Sequence, residues 1–203
     1  MVEHPEKFKP DKLWYEIPIY YKGNCTSFVG NGDEIEYPEG ETFRDYELEF
    51  AIVTGKQGKD IPKDKALEHI FGFTILNDFS ARMTQAKEMA SPSHLGPAHG
   101  KDFANALGPC ITTVDEFNLD DAAMIGRVNG EEWGRGNVNE MYHKVDFVLS
   151  YASKSEVVYF GSIIGTGTVG NGCGLELGKP LQPGDVVELE IEGIGVLRNK
   201  IIK

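Results

Sequence analysis

The sequence predicts an α+β fold, mainly β, in which short strands form a rolled or sandwiched sheet with a few short helices. Three observations predict it. Glycine supplies 24 of 203 residues, about 12% against a usual ~7%, a composition that suits tight turns between short strands. Apolar residues alternate at period two in several windows bounded by turn signals. Helical spacing is confined to two or three short stretches.

In chain order, residues 1–16 read as an N-terminal arm, with three lysines and two prolines and little apolar periodicity. The domain proper spans 17–203. Strands are predicted at 17–21 and 46–53, separated by turns at Gly30-Asn31-Gly32-Asp33 and Pro38-Glu39-Gly40. A brief helix at 64–70 follows Ile61-Pro62, and Phe71-Gly72-Phe73-Thr74-Ile75-Leu76 reads as a buried strand running into Asn77-Asp78. Good helix formers fill 80–89. The proline- and glycine-rich stretch 90–109 is expected to be a loop over a site. Met141, Val145, Val148, Leu149 and Ala152 recur at helical spacing, so a second helix is expected at 139–152. Strands at 157–164 and a hairpin at 186–201, bent at Gly193-Ile194-Gly195, complete the set.

Charge and cysteine usage narrow the partners. Thirty-two acids against 20 Lys and Arg give a net charge of −12, which repels phosphate backbones and anionic lipid, so neither nucleic acid nor a membrane is expected as a partner. An anionic small-molecule substrate would require local cations. Cys25, Cys110 and Cys173 form no CxxC pair; with a polar opening and no long apolar run, they point to a cytoplasmic protein without disulfides.

In Tyr46-Glu47-Leu48-Glu49-Phe50-Ala51-Ile52-Val53, alternation puts Glu47 and Glu49 on one face. Their carboxylates then stand roughly 7 Å apart along the strand and can converge on one cation. The same pattern also describes a solvated strand face. Glu188, Glu190 and Glu192 alternate likewise, but their hairpin partner supplies Arg198 and Lys200 for ion pairing; Glu47 and Glu49 have no such bases nearby. Asp78 ends an apolar strand, where an unpaired charge is costly. If the chain turns helical there, Asp78, Arg82 and Gln85 share one face. The alternative is an Asp that caps the helix and pairs with Arg82. An all-oxygen set of Glu47, Glu49 and Asp78 selects a hard cation, Mg²⁺ first, with Mn²⁺ or Ca²⁺ as substitutes.

These residues stand in an ordered series: Asp45-Tyr46-Glu47-Leu48-Glu49, Asn77-Asp78-Phe79-Ser80-Ala81-Arg82-Met83-Thr84-Gln85, Gly100-Lys101-Asp102-Phe103 and Leu107-Gly108-Pro109. Val128-Asn129-Gly130-Glu131, Gly165-Thr166-Gly167-Thr168, Pro183-Gly184-Asp185 and Gly193-Ile194-Gly195-Val196-Leu197 follow. The series resembles the catalytic domain of the fumarylacetoacetate hydrolase family from about residue 17 to the C-terminus. The resemblance implies a mixed β-roll, a homodimer, and Mg²⁺ on Glu47, Glu49 and Asp78. It implies a keto or diketo acid substrate bound by Arg82, Gln85, Thr166 and Thr168, with Lys101 beside developing negative charge and His4 as water-activating base. Met83 replaces the family's usual Asp, which is expected to loosen the support behind Arg82. The activity expected from the resemblance is Mg²⁺-dependent C–C hydrolysis of an acylpyruvate-type diketo acid. Dehydration, isomerisation or decarboxylation of a 2-keto acid is the alternative within the fold, and a catalytically weak metal-binding relative is the alternative of another class.

Three further features are set aside. Gly165-Thr166-Gly167-Thr168-Val169-Gly170 satisfies GxGxxG, but the Asn171-Gly172-Cys173-Gly174 that follows is not the opening of a helix, so no dinucleotide site is expected. His94 and His99 lack a third soft ligand for zinc, and Cys110 reads as a small packing residue.

Overall fold

The computed structural model describes residues 10–90, 92 and 96–203. In chain order its strands are β1 (Phe28–Val29), β2 (Glu34–Ile35), β3 (Arg44–Asp45), β4 (Leu48–Thr54), β5 (Gly58–Lys59), β6 (Ile70–Asp78) and β7 (Ser80–Ala81). Then come β8 (Asn105–Thr113), β9 (Ala123–Val128), β10 (Glu131–Asn137), β11 (Val157–Val158), β12 (Ile163–Gly165), β13 (Val186–Ile191) and β14 (Gly195–Ile201). The helices are α1 (Lys12–Glu16), α2 (Arg82–Ala90), α3 (Val145–Ala152) and α4 (Gly174–Leu177).

Two five-stranded sheets carry the architecture, ordered β1-β8-β6-β4-β12 and β10-β9-β13-β14-β2. Pairing is antiparallel except where β1 joins β8 and β2 joins β14. The fold is thus α+β and mostly strand. One core binds the sheets: Phe50 and Phe73 of the first and Leu189 and Leu197 of the second are buried in one cluster. Phe117 wedges among them, 5.0 Å from the Phe73 ring and 6.3 Å from that of Phe50. Seven consecutive residues of β4 are buried, on both of its faces. Glu49 therefore lies in the interior rather than on a solvated face.

The β13–β14 hairpin follows its sequence pattern, with Val187, Leu189 and Ile191 buried between half-buried acids. Glu188 faces Arg198, 3.5 Å away. Glu190, however, pairs with Arg127 of β9 at 2.6 Å, and Lys200 stands opposite Val186.

Several elements differ from expectation. Residues 17–21 form no strand; Ile19 and Tyr20 are exposed, and without an edge to pair with, alternation alone does not make a ladder. Before them, Asp11 caps α1 by accepting from Leu13 N (2.9 Å). The stretch 90–109 is not one loop, because Asn105 already opens β8 on the long edge of β6. The helix expected at 139–152 begins only at Val145; ahead of it, Asn137 and Glu140 close a capping box on a single 3-10 turn, Val138–Glu140. The unexpected β9–β10 hairpin turns through Asn129 and Gly130, both at positive φ. No helix among the described residues is long and apolar enough to cross a membrane.

Candidate active site

The β4–β6 register builds the centre. Leu48 pairs with Asn77 and Glu49 with Leu76. Continued by one residue, that register sets Glu47 across from Asp78, on the face that carries Glu49. The Asn77 side chain fixes the strand start by accepting from Glu47 N at 3.1 Å. One oxygen from each of Glu47, Glu49 and Asp78 can be chosen so that all lie within 4.8 Å of one another.

Two buried cations reach this centre from distant segments. Lys101 Nζ lies 2.7 Å from Glu47 Oε2 and 3.0 Å from Asp78 Oδ2. Arg82 Nη2 lies 2.9 Å from Glu47 Oε1 and 2.7 Å from Asp45 Oδ2, while Nε also donates to Asp45 Oδ2 and Nη1 to Gln85 Oε1 (3.0 Å). The counter-charges of Glu47 come from residues 35 and 54 positions away in the chain. Asp78 and Arg82 share no helical face, because Asp78 ends β6 and α2 opens only at Arg82. Asp78 instead accepts from Tyr21 Oη (2.7 Å) and Lys101. Gly167 N donates to Glu49 Oε2 at 2.9 Å.

Burial would raise the Glu47 carboxyl, but Lys101 and Arg82 outweigh it and hold it down at about 2. Glu49 moves the other way, pushed up by burial and by the charges of Glu47 and Asp78. Burial also raises Asp78, against the pull of Lys101. Burial would lower Lys101, but the carboxylates of Glu47 and Asp78 raise it, so it stays an ammonium.

The inventory is unbalanced. Asp45, Glu47, Glu49 and Asp78 bring four carboxylates, with Glu47 nearly buried and the others fully so, against Arg82 and Lys101. Pairing Asp45 with Arg82 and Glu47 with Lys101 leaves Glu49 and Asp78 without a full counter-charge. Asp78 Oδ1 is buried and has no hydrogen-bond partner among the described residues. Buried carboxylates are tolerated when paired or bound to metal, and an orphaned oxygen within an all-oxygen set fits a hard divalent cation.

Other expected residues are placed as follows. Thr166 donates its hydroxyl to Phe50 O (2.8 Å), and Thr168 is half-buried on the same loop. Gln85 is half-buried on α2. Met83 is exposed, and Arg82 takes its support from Asp45. His4 and His94 lie outside the described residues. The His99 backbone is held by Glu88 (2.7 Å). No helix opens at the GxGxxG stretch; α4 starts only at Gly174. Cys110 is exposed rather than packed.

Asp45 and Tyr21 were not singled out from the sequence. Asp45 extends the Glu47–Glu49 alternation back by one step, a signal that was present. It is fully buried and also accepts from Gly174 N (2.6 Å), Tyr46 N (2.9 Å) and Leu175 N (3.1 Å). Tyr21 left no local signal, since only the tertiary fold carries it to Asp78.

Known proteins resemble this chain in sequence and in fold. The family model described as fumarylacetoacetate (FAA) hydrolase C-terminal matches residues 1–202. A human mitochondrial oxaloacetate tautomerase is 36% identical over 188 residues, covering 91% of this chain and 59% of the relative. An uncharacterised Staphylococcus aureus protein is 39% identical over 201 residues, covering 95% and 65%. The chain therefore spans less than two thirds of the length of these relatives. Among solved structures, a fumarylacetoacetate hydrolase from Exiguobacterium antarcticum superposes with a TM-score of 0.79 at 36% identity, covering 87% of this chain and 63% of that one. A 5-carboxymethyl-2-hydroxymuconate delta-isomerase from Mycobacterium smegmatis gives 0.76 at 33%, with coverages of 87% and 66%. A fumarylpyruvate hydrolase from Pseudomonas aeruginosa, solved with Mn²⁺ and pyruvate, gives 0.73 at 27%, with coverages of 86% and 73%. The family match over residues 1–202, with the shared fold and sequence of these relatives, establishes that this chain belongs to the fumarylacetoacetate hydrolase family.

Proposed function

We propose that this chain is the catalytic domain of a Mg²⁺-dependent hydrolase that cleaves a C–C bond in a small diketo acid of the acylpyruvate type. The observation that carries the reading is the buried charge deficit: among the described residues the centre has two more carboxylates than cations, and Asp78 Oδ1 is left unpartnered. When bound by Glu47, Glu49 and Asp78, a divalent cation supplies a Lewis acid for the oxygens of a 2-keto acid. The chain's own groups do the rest. Lys101 commits two N–H bonds to Glu47 and Asp78, which leaves one for a substrate oxygen where negative charge develops. Because its pKa is raised, Lys101 acts as a donor and fixed positive charge rather than as a base. Arg82 pins Glu47 in its ionised form, and Gln85 and the Thr166–Thr168 loop lie beside the centre as substrate contacts. Water activation falls to His4. The homodimer expected from the family pattern and the cytoplasmic setting expected from cysteine usage belong to the same proposal.

A second reading, keto–enol tautomerisation or isomerisation of a 2-keto acid, draws support from the nature of the described proton carriers. Lys101 keeps one N–H for an enolate oxygen, and two relatives are named as a tautomerase and an isomerase. Following the ultraviolet absorbance of acylpyruvates and of enol-oxaloacetate, with Mg²⁺ and with EDTA, separates the two. The hydrolase reading expects Mg²⁺-dependent release of pyruvate from acylpyruvate, lost in His4→Ala. Absorbance change without pyruvate release assigns the second reading, and no turnover of any keto acid by metal-loaded protein overturns both.

A further inference from the structure

The two oxygens of Asp78 are treated differently by the fold. Oδ2 accepts two hydrogen bonds, from Tyr21 Oη at 2.7 Å and Lys101 Nζ at 3.0 Å, whereas Oδ1 is buried with no partner among the described residues. An ionised carboxylate offers about four lone-pair sites, two on each oxygen. With both Oδ2 sites taken, only Oδ1 is free to meet a cation. Tyr21 comes from the irregular segment ahead of β1, 57 residues from Asp78, and the remaining Oδ2 donor, Lys101, is shared with Glu47. Without the phenol, one Oδ2 lone pair becomes free and the carboxylate can turn to offer both oxygens at once.

We infer that Tyr21 is a positioning residue that confines Asp78 to one-oxygen coordination and thereby biases the centre toward Mg²⁺ and against Ca²⁺. The inference rests on the cation-site reading above. Its chemistry follows from ion size. Mg²⁺ demands a near-ideal octahedron of single oxygens at about 2.0–2.1 Å, whereas Ca²⁺ accepts six to eight oxygens and takes carboxylates through both atoms. A donor that occupies one carboxylate oxygen therefore penalises the larger ion. Partners that orient metal ligands typically change affinity 10–100-fold when removed.

Calorimetric titration of metal-stripped wild type and Tyr21→Phe with Mg²⁺, and separately with Ca²⁺, tests this. Phenylalanine keeps the ring and its packing, and the ratio of the two affinities is insensitive to any unfolded fraction because both ions are measured on one preparation. The expected result is a fall of about tenfold or more in the Mg²⁺/Ca²⁺ affinity ratio, with Mg²⁺ weakened and Ca²⁺ unchanged or strengthened. An unchanged ratio, whether both affinities hold or both fall together, overturns the role of Tyr21 and leaves the cation site standing. Failure of wild type to bind either ion overturns the cation site and the inference with it.

Discussion

Glu41 shows at the scale of a single residue how the centre is held from behind. It is buried, and its carboxylate accepts from Phe43 N (2.8 Å), Thr84 N (3.1 Å), Thr84 Oγ1 (3.0 Å) and Met83 N (3.2 Å). Two of these donors are first-turn amides of α2 that have no partner within the helix. Burial would raise Glu41, but the hydrogen bonds from Phe43, Thr84 and Met83 outweigh it and hold it below its ordinary value. A lowered carboxyl contributes stability that is complete above the unfolded value of about 4.3 and is lost as pH falls through the folded one. Glu41→Gln should therefore cost about 1–2 kcal/mol at pH 7, with the difference from wild type closing in acid. Urea unfolding of both proteins across that range checks it, and a difference that persists unchanged at pH 3 contradicts it. Single residues were unevenly legible. Glu47, Glu49 and Asp78 announced themselves as acids within apolar strands, whereas Tyr21 is chemically silent in sequence because its partner is 57 residues away.

At the scale of elements, β12 closes the acidic face. Gly165 stands opposite Ala51 of β4, and a Cβ there would come within 2.7 Å of Leu76 Cδ2 and 2.8 Å of Glu49 Oε2. A methyl at this point pushes directly on a carboxylate of the centre. Gly165→Ala is expected to lower stability by about 1–3 kcal/mol through overpacking and to weaken Mg²⁺ binding at least tenfold. Chemical denaturation paired with calorimetry reads both; wild-type Mg²⁺ affinity in this variant would show that β12 does not bear on the centre. The same scale explains what the sequence revealed of the fold. The β13–β14 hairpin was readable because its alternation and its glycines at Gly193 and Gly195, both at positive φ, agree with each other. The 17–21 segment has similar apolar content but no strand to pair with, and the β9–β10 hairpin carries glycines at Gly126, Gly134 and Gly136 that blur its alternation. Gly134 and Gly136 are nonetheless required, since a Cβ at either would strike Asn171 O or the Val169 side chain.

At the scale of the whole molecule, the net charge of −12 is matched inside the fold by a local excess of carboxylate. Sequence spacing located the acids but not the balance. The cations that neutralise Glu47 arrive from α2 and from the loop before β8, and the uncompensated remainder is visible only once all six groups are brought together. Under the proposed cation site, that remainder makes stability depend on metal. A ligand that binds only the native state stabilises it by about 2.7 kcal/mol at a hundredfold excess over its dissociation constant. The most direct measurement is the unfolding free energy of metal-stripped wild type and Glu49→Gln, each with EDTA and with saturating Mg²⁺. In EDTA the variant should be at least as stable as wild type, because burial and the neighbouring Glu47 and Asp78 disfavour the Glu49 charge. With Mg²⁺, wild type should gain about 2–3 kcal/mol and the variant almost nothing. Equal stabilisation of the two proteins by Mg²⁺ would contradict a cation held by Glu47, Glu49 and Asp78.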